Sequence, residues 1–121
     1  MKLWKRRWKD LDNRRKVLNL IGLATKAGKT ASGEFSTEKA VKAGKASLVI
    51  VSEEASDNTK KMFTNMCTYY KVPLLVFGEK EELGRAMGKE MRASLAVLDE
   101  GFAKAVGKQM KLIGGSEHES E

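Results

Sequence analysis

Apolar positions change period repeatedly along this chain. In "RRKVLNLIGLATKAG", Val17, Leu20, Ile21, Ala24 and Ala27 recur at three- and four-residue steps, which predicts an amphipathic helix closed by Gly28. "KTAS" follows as a polar link or edge strand, and "GEFSTEKAVKAG" reads as a short helix starting near Gly33 and capped by Gly44. "ASLVIVS" is an apolar run of strand length, expected to be covered on both faces. "SDNTKKMFTNMCTYYK" opens with Ser56 or Asp57 as N-cap and carries Met62, Phe63, Met66, Cys67 and Tyr70 on one side. Val72-Pro73 stops that helix.

"PLLVF" is expected to be a second buried strand, "EKEELGRAMG" a short helix, "ASLAVLD" a third apolar strand, and "EGFAKAVGKQMKLI" a closing helix with Phe102, Val106 and Met110 inward. Helix and strand alternate throughout. That alternation predicts an α/β layered domain, with helices on both faces of a small, largely parallel sheet.

With 121 residues, the chain is long enough for one domain with a real core and too short for two. Three segments are expected: a basic extension over 1–13, the folded body over 14–113, and an acidic tail over 114–121, "GGSEHESE", without apolar content and therefore disordered. Lys and Arg number 23 against 16 Asp and Glu, a formal charge of +7, which favours an acidic partner. Residues 1–16 alone hold eight basic and two acidic side chains, so the folded body is only mildly basic. There, "MKLWKRRWKDLDNRRK" spaces Trp4, Trp8 and Leu11 by four and three among the cations. Such a stripe suits a nucleic-acid backbone, an anionic membrane surface, or packing on its own domain or a neighbouring chain.

A single cysteine, Cys67, excludes an internal disulfide and a multi-cysteine zinc site, and its apolar neighbours predict a buried core residue rather than a reactive thiol. No apolar run reaches membrane-spanning length and the basic start lacks a signal peptide's apolar stretch, so a soluble, cytoplasmic protein is expected. Nothing calls for a metal or cofactor. The one histidine, His118, lies in the acidic tail, and no nucleophile is paired with a base at recognisable spacing, so no enzyme is expected.

"GLATKAGKT" imitates a phosphate-binding loop, but five residues rather than four separate Gly22 from Gly28-Lys29, and Gly22 falls inside a helix. Glu53 and Glu54 stand at the end of the first apolar strand, where α/β sheets often place ligands; a solvated loop with a helix cap explains them more simply. Gly28, Gly33, Gly44, Gly78, Gly84, Gly88 and Gly101 read as caps and turns at element ends. Gly33 has a further use. At a helix start, free N–H groups and the positive dipole end invite an anion, and a missing side chain permits close approach; Lys29 and Lys39 flank it in sequence.

The segments "LATKAGKTASGEFSTEKAVKAGKASLVIVSEEAS", "YYKVPLLVF", "ELGRAMGK" and "LAVLDEGFAK", in this order and spacing, resemble the ribosomal L7Ae/L30e family of RNA-binding proteins over roughly residues 14–110. The resemblance implies an L30e-like three-layer α/β/α sandwich around a four-stranded mixed β-sheet. It implies recognition of kink-turn RNA, in a ribosomal or translational setting, by the start of the second helix and the loop before the last strand. By position, the implied RNA-binding residues are Lys29, Gly33, Glu34, Phe35, Ser36, Lys39, Gly88, Lys89, Glu90, Met91 and Arg92. Phe35 and Ser36 stand where the family pattern has Asn-Glu, side chains that read guanine edges. Phe35 would stack or pack inward, and Ser36 retains one hydroxyl. A protein-interaction module on the same fold is the alternative.

Overall fold

The structure, a computed structural model, describes the backbone of residues 2–115 and the side chains of residues 11–113. Nine regular elements follow in order: α1 (Lys2–Lys26), β1 (Thr30–Ser32), α2 (Glu34–Lys42), β2 (Leu48–Val51), α3 (Asp57–Tyr70), β3 (Leu74–Val76), α4 (Lys80–Ala86), β4 (Ser94–Val97) and α5 (Glu100–Met110). The described backbone ends in a π-type turn over Lys111–Gly115. His118 and the acidic tail beyond Gly115 lie outside the described residues.

The strands form one sheet in the order β1-β4-β2-β3. β2 and β3 pair in parallel, while β4 pairs antiparallel with both β1 and β2. This corrects the largely parallel sheet expected from alternation and agrees with the mixed sheet implied by resemblance. β1, β2 and β3 do run the same way, as helical crossovers require. α4, however, has seven residues, about 10 Å of helix. Residues 87–92 then fold back along it, the amide of Arg92 reaching the Lys80 carbonyl at the start of α4, so the chain re-enters the sheet at the end where it left and β4 runs back. The C-terminal ends of β1, β2 and β3 and the start of β4 therefore share one end of the sheet.

Alternating residues of the two central strands feed two cores. On one face Leu48, Ile50, Leu95 and Val97 pack with Val17 and Ile21 of α1, Leu83 of α4 and Val106 of α5. On the other, Val49, Val51 and Ala96 pack with Ala40 and Val41 of α2 and Phe63 and Cys67 of α3. All four residues of β2 and of β4 are buried, as an apolar run covered on both faces should be. β3 was expected to be buried too, but it lies at the edge and leaves Val76 exposed. Tyr70, expected on the inner side of α3, is likewise exposed, whereas Phe63 and Cys67 are enclosed.

Caps fall where short polar residues permit them. Ser56 accepts from the amide of Thr59 at 3.1 Å, and Asp99 accepts from that of Phe102 at 2.9 Å. α1 runs unbroken through residue 13, so the basic extension continues the first helix of the domain. Arg14 is where that helix meets the sheet end: its guanidinium lies 3.6 Å from Glu53, 3.5 Å from Glu82 and 4.7 Å from the centre of the Phe77 ring. The twelve residues before Arg14 span about 18 Å of helix beyond that anchor.

Candidate nucleic-acid interface

The loop following β1 and the loop preceding β4 meet at the shared sheet end. Gly33 adopts φ 92° and ψ 162°, a backbone region essentially reserved for glycine, and this turns the chain from β1 into α2. Its amide donates to the Ser94 carbonyl at 2.9 Å, continuing the β1–β4 ladder by one step. The next three amides, of Glu34, Phe35 and Ser36, have no partner within the helix, and no side chain among the described residues caps them. An α-helix leaves its dipole's positive end here, so an anion has N–H donors to meet.

The opposing loop is held just as firmly. Gly84 sits in the interior of α4, buried, where a Cβ would overlap the carbonyl of Glu90. It is therefore a close-packing residue, not the cap or turn expected of it. The Gly84 carbonyl also accepts from the amide of Lys89 at 2.8 Å, and Gly88 turns the chain at φ 69°. The amide of Arg92 donates to the Lys80 carbonyl at 3.0 Å. Its guanidinium bridges the two loops: Nε donates to Ser32 Oγ at 3.4 Å and Nη1 to the Met91 carbonyl at 2.9 Å.

Arg92 on Ser32 and Gly33 on Ser94 thus join the segment that carries Gly33, Glu34, Phe35, Ser36 and Lys39 to the one that carries Gly88, Lys89, Glu90, Met91 and Arg92. Phe35 and Lys39 line one concavity, and Lys89, Glu90 and Met91 another. Lys29 does not join them. It precedes β1 at the opposite end of the sheet, where its carbonyl accepts from the amide of Leu98 at 2.8 Å. Three extended residues, Thr30 to Ser32, lie between it and Gly33, and the four residue steps span roughly 13 Å. Among the described residues, no ion pair takes up Lys39, Lys89 or Arg92. Lys42 does pair: Glu38 accepts from its Nζ at 2.9 Å, and that hydrogen bond, with the attraction of the same carboxylate, raises the lysine's pKa.

Phe35 points outward rather than inward, 76% exposed, and Met91 is 64% exposed. Glu53 and Glu54 serve the scaffold. Glu53 faces Arg14, and Glu54 accepts from the amide of Lys80 at 2.9 Å, capping the start of α4. The phosphate-loop imitation also dissolves: Gly22 lies within α1, where a Cβ would stand 3.1 Å from the Ala86 carbonyl, and Thr30 begins a strand. Ser32, Gly84 and Ser94 carry no motif signal, because their roles rest on neighbours 60, 6 and 61 positions away in sequence. A glycine inside a short amphipathic helix was the one available clue, and it belongs to Gly84.

The layers and this paired-loop surface define an L30e-like α/β/α module whose exposed end offers open amides, cations and two apolar tips. Residues 15–107 match the ribosomal protein L7Ae/L30e/S12e/Gadd45 family, and the chain belongs to that family. A Bacillus subtilis (strain 168) protein named RNA-binding protein YlxQ is 46% identical over 84 residues, covering 69% of this chain and 84% of that one. A protein of the same name from Enterococcus faecium is 41% identical over 103 residues, 85% of this chain and 96% of its own length. Among solved structures, a Bacillus halodurans protein described as of unknown function superposes with a TM-score of 0.77 at 38% identity, over 79% of this chain and 97% of that one. The Giardia lamblia 15.5kD RNA binding protein gives 0.70 at 27% identity, over 84% and 90%.

Proposed function

We propose that this chain is a non-catalytic, cytoplasmic RNA-binding protein, associated with the ribosome or the translation machinery, that recognises a kink-turn or related bent RNA. One observation carries the proposal: Gly33 to Ser94 and Arg92 to Ser32 lock an uncapped helix start and a basic, apolar-tipped loop side by side. A kinked RNA brings two phosphate backbones together, and a surface of fixed width that fits only the bent form draws the population toward it. The amides of α2 and the side chains of Lys39, Lys89 and Arg92 would take phosphates, and Met91 an exposed base face. The relatives named as RNA-binding proteins support this role.

Gel-shift titration of a kink-turn RNA against a straight duplex, at two salt concentrations, tests the proposal. Tighter binding of the kinked RNA, with both affinities falling steeply in salt, is the expected result. Equal affinity for the two RNAs would sink specific recognition. Loss of binding to both would instead favour a protein partner on the same surface, a use that the exposed ring of Phe35 would also suit.

A further inference from the structure

Phe35 occupies the second position of α2, and at 76% exposure its ring belongs to neither core. It borders a shallow concavity of about 470 Å³ whose other walls are Glu38, Lys39, Lys42 and Ala43. Glu38 and Lys42 satisfy each other across one helical turn, which leaves Lys39 as the cation beside the ring. The open amides of Glu34 and Ser36 lie on either side of Phe35 in the chain. A flat apolar face, an adjacent cation and unpaired N–H donors match the two halves of a nucleotide: a base that stacks and a phosphate that accepts.

We propose that Phe35 is a stacking platform for an unpaired nucleobase of the bound RNA, so that this surface holds its ligand by shape and stacking. The proposal rests on the RNA-binding role argued above. A phenyl ring offers no donor or acceptor to a base edge, so contact at this position tolerates any base, and the discrimination it supplies is between unpaired and stacked nucleotides. Lys39 then carries an ionic contact and Phe35 a non-ionic one, and the two are separable by salt.

The test uses the full chain with F35A, F35L, F35Y and K39A, each titrated at several salt concentrations against a kink-turn RNA carrying 2-aminopurine at its unpaired loop nucleotide. F35Y is expected to match the unaltered chain in affinity and in the fluorescence change on binding. F35A should weaken binding roughly ten- to hundredfold, with the slope of log affinity against log salt unchanged. F35L should fall between, and K39A should flatten the slope by about one unit. Because the ring is exposed, the variants should melt together with the parent, which separates binding from folding. F35A binding within twofold of the parent would overturn the stacking role and leave RNA binding standing; F35L equal to F35Y would overturn it in favour of simple apolar contact. A parent chain that does not bind the kinked RNA would overturn both proposals.

Discussion

The amide of Gly33 donates to the carbonyl of Ser94 at 2.9 Å, so the residue that opens α2 is also the last step of the β1–β4 ladder. Position 33 therefore ties a helix start to a strand start 61 residues later. Among the described residues, and apart from its two chain neighbours, nothing lies within 4 Å of where a Cβ at Gly33 would stand, so a side chain there would be strained by φ 92° rather than by a clash. Gly33→Ala should cost about 1–3 kcal/mol of stability from backbone strain alone. Denaturant titration measures that loss. RNA affinity should fall further than stability explains, because the strained turn re-aims α2.

Gly84→Ala should disturb the second loop more than the fold's centre. Its Cβ would overlap the Glu90 carbonyl, which no side-chain rotamer relieves, so α4 and residues 88–92 must separate. Overpacking of this kind typically costs about 1–3 kcal/mol. Backbone NMR shifts concentrated at Lys89 to Arg92, with weakened RNA binding, are the expected signature; unchanged shifts there would contradict the packing described.

Lys39→Ala should leave the melting temperature almost unchanged, since the side chain is exposed and makes no ion pair among the described residues. RNA affinity should drop by about 1–3 kcal/mol and the salt slope by about one unit. The same substitution at Lys29, at the far end of β1, should change neither as much. Equal losses at the two positions would mean that the RNA path does not follow the paired loops.

Arg14→Ala should destabilise the chain by about 0.5–1.5 kcal/mol, less at high salt, as it removes two partly exposed ion pairs and one cation–ring contact. Arg14→Lys should recover only part, because a single ammonium cannot span Glu53, Glu82 and the Phe77 face together. Thermal melts at two salt concentrations measure both effects.

Cys67 should resist thiol reagents until the protein unfolds. The side chain is 2% exposed, and burial pushes its thiol pKa up by disfavouring the thiolate. Since the folded pKa lies above the unfolded one, the stability linked to this group is complete below the ordinary thiol range and declines as pH rises through it. At a fixed pH, labelling rates that rise with denaturant in step with unfolding are the expected result; rapid labelling of the folded chain would contradict the burial.

Residues 23–56 and 95–104 made the family legible in one dimension, because a helix, its cap and the following buried strand are encoded by short-range period and by glycine. The apolar runs of β2 and β4 announced strands covered on both faces, and both are. The same local signals could not distinguish β3, an edge strand, from its central neighbours, since an apolar run says nothing about which strands flank it.

Period, capping residues and charge are local properties of the chain, and they determined the elements, the two-faced core and the basic character of the protein. The placement of β4 antiparallel between β1 and β2 depended on residues 87–92 folding back along α4, and only the tertiary structure decided it. That placement set the site. It brought Gly33 to Ser94 and Arg92 to Ser32 and left Lys29 at the opposite end of β1, while the packing of Gly84 on Glu90 and the exposure of Phe35 were likewise tertiary outcomes. Each of these is a contact, or a lack of one, between residues whose sequence spacing carries no period to read.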